Sequence, residues 1–296
     1  MQIVLNDYIR TILSLQRVDT DWEVNPREGL DTSFCGTKLG QARGNQISLE
    51  LNLTYRWHSA ISTKDQYWLE QHIAKLLPGV KVEDMTAQDM LLAMRQFAAQ
   101  QPSDPSERTW AGLQRQHGRN FDDADLIKIL TDTTKNVAAS FGPRQVPTVL
   151  KVVEIMGIQQ ARAWGVASLN EVQGHFGLTA HKSFTDINSD PEIATSLEVL
   201  YGNVDDVELY PGVVVEESKV PMTTESGPCT GFFTTRAILF DAINLIQGDR
   251  FYTVDYTPNH LTAFGYKEVS NDPSIAGGGV MYKLLMRALR KSEQQF

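Results

Sequence analysis

The sequence predicts a mainly α-helical protein. Apolar residues recur at helical spacing, for example at Leu69, Ile73 and Leu76, so that they form one stripe along a helix. Residues that start or stop helices flank such segments, whereas strand-like runs are limited to residues 213–215 and 251–254. The 296 residues contain no internal repeat. We therefore expect one large helical domain with at most one or two short strands.

The first helix that the residues themselves indicate begins near Asn45. The run from Asn45 to Thr54 contains little that breaks a helix, and we expect the helix to continue through Tyr55 and His58. Residues three apart in a helix lie on nearly the same face. Tyr55 and His58 are therefore expected to reach into one pocket from one rigid element.

Capping and turn residues bound the helices that follow. Pro78-Gly79 ends the helix that carries the Leu69 stripe, and Thr86 can cap the next one. Residues 100–108 are polar with two prolines and predict a surface loop. Aspartates crowd residues 122–125, where the dipole of a starting helix favours negative charge.

Proline and glycine mark the later boundaries. Pro147 suits the first turn of a helix, and Asp190-Pro191 starts another. Gly202 is a typical stop signal for that second helix. A further helix is predicted from about residue 235 to 247, where Gly248 ends it.

Composition excludes several function classes. The net charge of −9 argues against a general nucleic-acid binder, which needs basic patches. No apolar run is as long as a membrane span, and Asn6 and Asp7 lie where a signal peptide needs its apolar region. The two cysteines, Cys35 and Cys229, do not make a disulfide framework. A reduced, cytoplasmic protein is the simplest expectation.

The tetrad Tyr55-Arg56-Trp57-His58 is the strongest candidate site. A neutral imidazole is a common ligand of haem iron, and a phenol close to a haem can be oxidised by one electron. Taken alone, such a tetrad is more often core packing around a hydrogen-bonded imidazole. The residues by themselves leave both interpretations open.

A resemblance along most of the chain favours the haem interpretation. Residues 45–62 resemble the proximal-histidine helix of the cyclooxygenase-like branch of the animal haem peroxidase superfamily. Residues 161–171 and 197–212 resemble the corresponding cyclooxygenase segments. The run Tyr-Arg-Trp-His-Ser, the opening residues 3–12 and the tail residues 235–258 are similar to fungal fatty-acid dioxygenases, the linoleate diol synthases and psi-factor-producing oxygenases.

The resemblance implies a haem-peroxidase helical fold and a set of roles. By this resemblance, His58 is the proximal ligand of haem b iron. Tyr55 is the radical residue that abstracts hydrogen from an unsaturated fatty acid such as linoleate, after which O2 adds to the carbon radical. Arg162 and Asn170 lie under the haem-bearing helices, as structural support or in direct contact. Thr235 falls near the substrate channel. Residues 1–289 correspond to the C-terminal, proximal haem side of the dioxygenase domain, and 290–296 form an atypical tail.

The distal half of that domain is not recognisable in the sequence. The superfamily places a distal histidine well upstream of the proximal motif, yet none of the six histidines precedes His58. The calcium loop is also missing. We therefore expect an incomplete fold, and association with the upstream half or with another copy. The alternatives are a catalytically inactive haem-binding or partner-binding remnant, and an ordinary helical interaction protein.

Other candidate ligands are weaker. His72 lies on an apolar stripe, so we expect its imidazole in the core or at the core boundary. His117 lies in a polar context, so we expect it to be exposed. His175 and His181 are six residues apart, which is not a metal-ligand spacing. The acidic residues within 205–208 lack the alternating oxygen ligands of a calcium loop. The resemblance assigns them to a structural loop.

Overall fold

The computed structural model describes residues 47–116, 120–134, 139–218, 230–238, 241 and 259. The chain divides into two units, Ser48–Ala237 and the combination of Met1–Ile47 with Ile238–Phe296. Almost all described residues belong to the first unit. That unit contains every side chain of the candidate site discussed below.

Helices dominate the first unit. The α-helices are α1 (Leu49–Thr54), α2 (Thr63–Leu76), α3 (Ala87–Gln100), α4 (Asp123–Thr134), α5 (Lys151–Trp164), α6 (Leu169–His175), α7 (Phe184–Ile187), α8 (Pro191–Tyr201) and α9 (Leu209–Val215). Short 3-10 turns lie at His58–Ala60, Val82–Asp84, Pro105–Glu107, Thr148–Leu150 and Val204–Asp206. In the described part of the chain, extended pairing is limited to isolated bridges such as Ser168 with Glu208. The predicted mainly α class is confirmed.

Most predicted helix ends are confirmed, because they rest on local hydrogen bonds. Thr86 forms a capping box with Asp89 at the start of α3. The Asp190 side chain caps α8, and Pro191 occupies the first turn, where its missing N–H needs no partner. Gly202 ends α8 with φ 70°, a left-handed conformation that favours glycine.

The strand predicted at residues 213–215 is wrong, because these residues belong to helix α9. Pro211 lies in the first turn of α9, where it is compatible with a helix. Tertiary packing decides against a strand, since α9 packs on α1, α5 and α6, and Val213 is only 1% exposed. The strand predicted at 251–254 lies outside the described residues. So does most of the helix predicted at 235–247, although the chain is already helical from residue 232.

Two apolar clusters form the core, and helix α5 contributes to both. The first cluster joins α1, α6, α8 and α9 and includes Leu53, Leu169 and Ala161 of α5. The second joins α2 and α3 to the start of α5 at Val152. Pro147 precedes the 3-10 turn that leads directly into α5. Because α5 is held on both sides, its polar residues occupy defined positions.

No helix of the described residues has the length and apolarity to cross a bilayer.

Candidate active site around His58

The tetrad does not lie on one helix, so that expectation is wrong. Helix α1 ends at Thr54, and Tyr55 is its C-cap residue with φ −87° and ψ 14°. A separate 3-10 turn begins at His58, with Trp57 before it. Tyr55 and His58 therefore belong to two different elements, and their spacing in the sequence does not place them on one face.

Contacts with a distant segment explain the break in the helix. The Trp57 ring packs edge-on against Phe141, with ring centroids 5.1 Å apart. The backbone N–H of Ala139 donates to the carbonyl of Ala60 at 3.1 Å. These contacts hold the chain after Thr54 in a path that a continuous α-helix could not follow.

His58 is held by two side chains that are remote in the sequence. Its Nδ1 forms a short hydrogen bond with Glu154 Oε1. The Tyr210 hydroxyl donates to the same oxygen at 2.8 Å and lies 3.4 Å from His58 Nδ1. A carboxylate only accepts hydrogen bonds, so Nδ1 carries the imidazole proton. Sequence reasoning identified His58 but missed Glu154 and Tyr210.

The Tyr210 hydroxyl stays protonated in this environment. Burial raises the pKa of Tyr210 well above its ordinary value of 10.0, and the negative charge of Glu154 raises it further. The Arg56 guanidinium opposes this shift without cancelling it; it lies 5.2 Å from the Tyr210 ring centre. Tyr210 therefore acts as a hydrogen-bond donor to Glu154.

A glycine on α5 permits this arrangement. Gly157 lies one helical turn after Glu154, so both face the same side of α5. A Cβ at this position would lie 2.6 Å from Tyr210 Cε1 and 2.9 Å from Arg56 Nη1. Only a residue without a side chain lets the Tyr210 ring cross α5 closely enough to reach Glu154. Gly157 was the one signal in the sequence that could have revealed this contact.

Arg56 ties the tetrad to α5. Its Nη2 donates to Gln160 Oε1 at 2.6 Å and to Asn52 Oδ1 at 3.0 Å. Gln160, one helical turn after Gly157, therefore anchors Arg56 to α5. Tyr55 itself is 42% exposed.

The hydrogen bonding of His58 fits a residue that would hold haem iron. With Nδ1 committed to Glu154, Nε2 is the remaining ring nitrogen, and no described residue hydrogen-bonds to it. The His58 side chain is 32% exposed, so it is not enclosed by the core. A neutral imidazole whose other nitrogen is hydrogen-bonded is the usual form of a metal-ligating histidine. Within the described ranges, no group of three or more His, Cys, Asp or Glu could hold a different metal.

Arg162 and Asn170 connect the elements that carry the site. Arg162 of α5 donates to both oxygens of Glu208 at 2.6 and 2.9 Å, just before α9 begins. The Arg162 guanidinium lowers the pKa of the Glu208 carboxyl below its ordinary value. Asn170 of α6 donates to Asp205 Oδ1 at 2.6 Å and accepts from the His181 backbone N–H at 2.9 Å. Asp205 and Glu208 of this loop therefore make structural contacts.

The remaining predicted positions lie away from His58 Nδ1 and its partners. His72 is a boundary imidazole, as expected, stacked on Trp68 with ring centroids 4.9 Å apart. His175 packs edge-on against Phe176. Thr235 is buried and lies 3.0 Å from Thr230, hydroxyl to hydroxyl. His117 lies outside the described residues, and the placement of Thr235 near a channel stays a prediction.

Comparison with known proteins identifies the family. The sequence pattern of the animal haem peroxidase family matches residues 1–276. Psi-producing oxygenase A of Aspergillus fumigatus is 45% identical over 97% of this chain and 27% of its own length. Linoleate diol synthase of Gaeumannomyces graminis is 44% identical over 97% of this chain and 25% of its own. The chain thus spans about a quarter of these relatives.

A solved structure agrees on the fold. The fatty acid alpha-dioxygenase of Oryza sativa covers 84% of this chain with a TM-score of 0.50 and 15% sequence identity, and the match covers 39% of that chain. The resemblance recognised in the sequence is confirmed by the family match and by the two fungal oxygenases. The chain belongs to the animal haem peroxidase family.

Proposed function

We propose that this chain forms the proximal side of a haem-dependent fatty-acid dioxygenase, with His58 as the ligand of haem b iron. One observation carries the proposal: His58 Nδ1 is committed to Glu154, and Nε2 is left as the nitrogen that can bind iron. The family implies haem, and the relatives are named as oxygenases and as a linoleate diol synthase.

Tyr55 is the proposed radical residue. When bound, haem supplies the oxidising power that removes an electron from this phenol, whose proton is lost with it. The Tyr55 oxygen then takes a hydrogen atom from the bis-allylic carbon of an unsaturated C18 acid such as linoleate. Molecular oxygen adds to the carbon radical, and the peroxyl radical takes a hydrogen atom back from Tyr55. The products are a fatty-acid hydroperoxide and the regenerated Tyr55 radical, which can start another turnover.

Activity also requires an acid–base group on the distal side of the haem. Cleavage of a peroxide O–O bond needs a side chain that moves a proton between the two oxygens. No histidine precedes His58 in the 296 residues. We therefore propose that the distal group comes from outside residues 1–57, in a part of the oxygenase that this chain does not cover. The same observation favours a second candidate, a catalytically inactive haem-binding remnant.

A chimaera separates these candidates. Residues of this chain replace the matched 288 residues of linoleate diol synthase from Gaeumannomyces graminis, whose remaining length supplies the other parts of the protein. The dioxygenase proposal predicts a Soret band and linoleate-dependent oxygen uptake. A chimaera that binds haem but consumes no oxygen, while the parent protein does, supports the inactive remnant.

Single substitutions in the chimaera test each role. His58→Ala should abolish the histidine-ligated spectrum, and an unchanged spectrum would assign the ligand to another residue. Tyr55→Phe removes only the hydroxyl, so haem binding should persist while oxygenation of linoleate is lost. Tyr67→Phe is the matched control, because Tyr67 lies on α2 with 63% of its surface exposed. Retained oxygenation in Tyr55→Phe would exclude the radical role.

A further inference from the structure

We propose that Glu154 is a positioning residue that sets the electron-donating strength of His58 Nε2 through its hydrogen bond to Nδ1. This inference rests on the proposed function, in which Nε2 binds haem iron. Tyr210 shares the acceptor oxygen and moderates the effect. The relevant feature is therefore a three-residue cluster, His58–Glu154–Tyr210, which no spacing in the sequence indicates.

The geometry isolates one carboxylate oxygen at the centre of the cluster. Glu154 Oε1 accepts from His58 Nδ1 and from the Tyr210 hydroxyl at 2.8 Å. The Glu154 side chain is only 19% exposed, so water competes little for this oxygen. The Tyr210 residue is 2% exposed and stays in place because Gly157 leaves room for its ring. The contact thus joins a largely buried carboxylate on α5 to a fully buried tyrosine on α9 and is not a surface encounter.

The expected consequence follows from hydrogen-bond strength. A hydrogen bond to an ionised acceptor is stronger than one to a neutral acceptor, and it draws the Nδ1 proton towards the carboxylate. Electron density on the imidazole then increases, and Nε2 becomes a better donor to a metal. A more strongly donating ligand favours ferric over ferrous haem, so it lowers the reduction potential. Because Tyr210 donates to the same oxygen, it draws charge away and weakens the bond to His58.

Two substitutions should therefore act in opposite directions on the full chain reconstituted with ferric haem. Glu154→Gln replaces the carboxylate with a neutral acceptor of similar shape and should raise the reduction potential. It should also weaken the affinity for haem by about 10–100-fold, the usual effect of altering such a partner of a metal-ligating histidine. Among the described residues, Tyr210→Phe leaves His58 as the only donor to Oε1, and it should lower the potential. A residue that only supports packing would not produce shifts of opposite sign.

Glu208→Gln is the matched control. Glu208 also accepts from a tyrosine, with the Tyr201 hydroxyl at 3.2 Å, and it pairs with Arg162. It makes no contact with His58 among the described residues. The control should lose thermal stability while the haem potential stays at the wild-type value.

A measurement without haem tests the cluster independently. In the haem-free chain labelled with 15N-histidine, the His58 nitrogen shifts should indicate a proton on Nδ1, and Glu154→Gln should redistribute it towards Nε2. If His58→Ala abolishes ligation but Glu154→Gln and Tyr210→Phe leave potential, haem affinity and nitrogen shifts unchanged, the Glu154 inference is wrong and the proposed function stands. If His58→Ala leaves the haem spectrum unchanged, the ligand assignment itself fails.

Discussion

Replacement of Gly157 by alanine is the most direct test of the packing that builds the cluster. The new methyl group would lie 2.6 Å from Tyr210 Cε1 and 2.9 Å from Arg56 Nη1. Carbon atoms in folded proteins do not approach one another this closely, so the tyrosine ring or helix α5 must move. A shift of the ring away from α5 also breaks the hydrogen bond from Tyr210 to Glu154.

The expected loss of stability can be worked out from three contributions. Overpacking of a core position costs about 1–3 kcal/mol. Loss of a hydrogen bond to a charged acceptor costs about 1.5–3 kcal/mol. Alanine in a helix interior is favoured over glycine by about 1 kcal/mol, which opposes both costs. Because movement of the ring relieves the clash while it breaks the bond, the costs do not add fully, and we expect a net loss of about 2–4 kcal/mol.

Urea unfolding followed by tryptophan fluorescence measures this difference. Gly174→Ala is the matched control: Gly174 is also helical, and an added Cβ there meets no atom within 4 Å. The control should gain stability, by up to about 1 kcal/mol from helix propensity alone. If Gly157→Ala is as stable as the wild type or gains as much as Gly174→Ala, the close approach of Tyr210 to α5 is not a feature of the folded protein.

Three further predictions concern stability and activity. Burial lowers the pKa of His181 from its ordinary 6.5, so the unfolded chain takes up the proton first and stability should fall as the pH drops through that value. Between pH 7.5 and 5, the melting temperature of His181→Gln should fall less steeply than that of the wild type. An identical slope would contradict a lowered pKa of His181 in the folded chain. Arg162→Ala should lower the melting temperature more than Arg144→Ala does. The partner of Arg162, Glu208, is only 25% exposed, whereas the partner of Arg144, Glu192, is 73% exposed and therefore contributes little. Equal effects would show that the Arg162 pair is an ordinary surface contact. The 296-residue chain alone, loaded with haem, should show no linoleate-dependent uptake in an oxygen electrode, since no histidine precedes His58; uptake like that of the parent oxygenase would show that another side chain serves the distal side.

Local interactions explain why many helix boundaries could be predicted from the sequence. Thr86 and Asp89 complete their capping box within four residues, and Asp190 caps a helix whose next residue is Pro191. Gly202 adopts the left-handed conformation that a helix end requires. Each of these signals depends on neighbours along the chain, so tertiary contacts were not needed to read them. Membership of the family was also recognisable, because His58 and its flanking residues form a contiguous segment.

Tertiary structure alone decided the rest. Residues 213–215 have the composition of a strand, yet packing against α1, α5 and α6 makes them helical. The break after Thr54 depends on contacts with residues 139–141. Glu154 and Tyr210 lie 96 and 152 positions from His58, and no periodicity relates such distances. The sequence by itself predicted His58 as the candidate iron ligand. Only the fold determined that Glu154 and Tyr210 hold its side chain, because hydrogen bonds between remote residues form where helices meet in space.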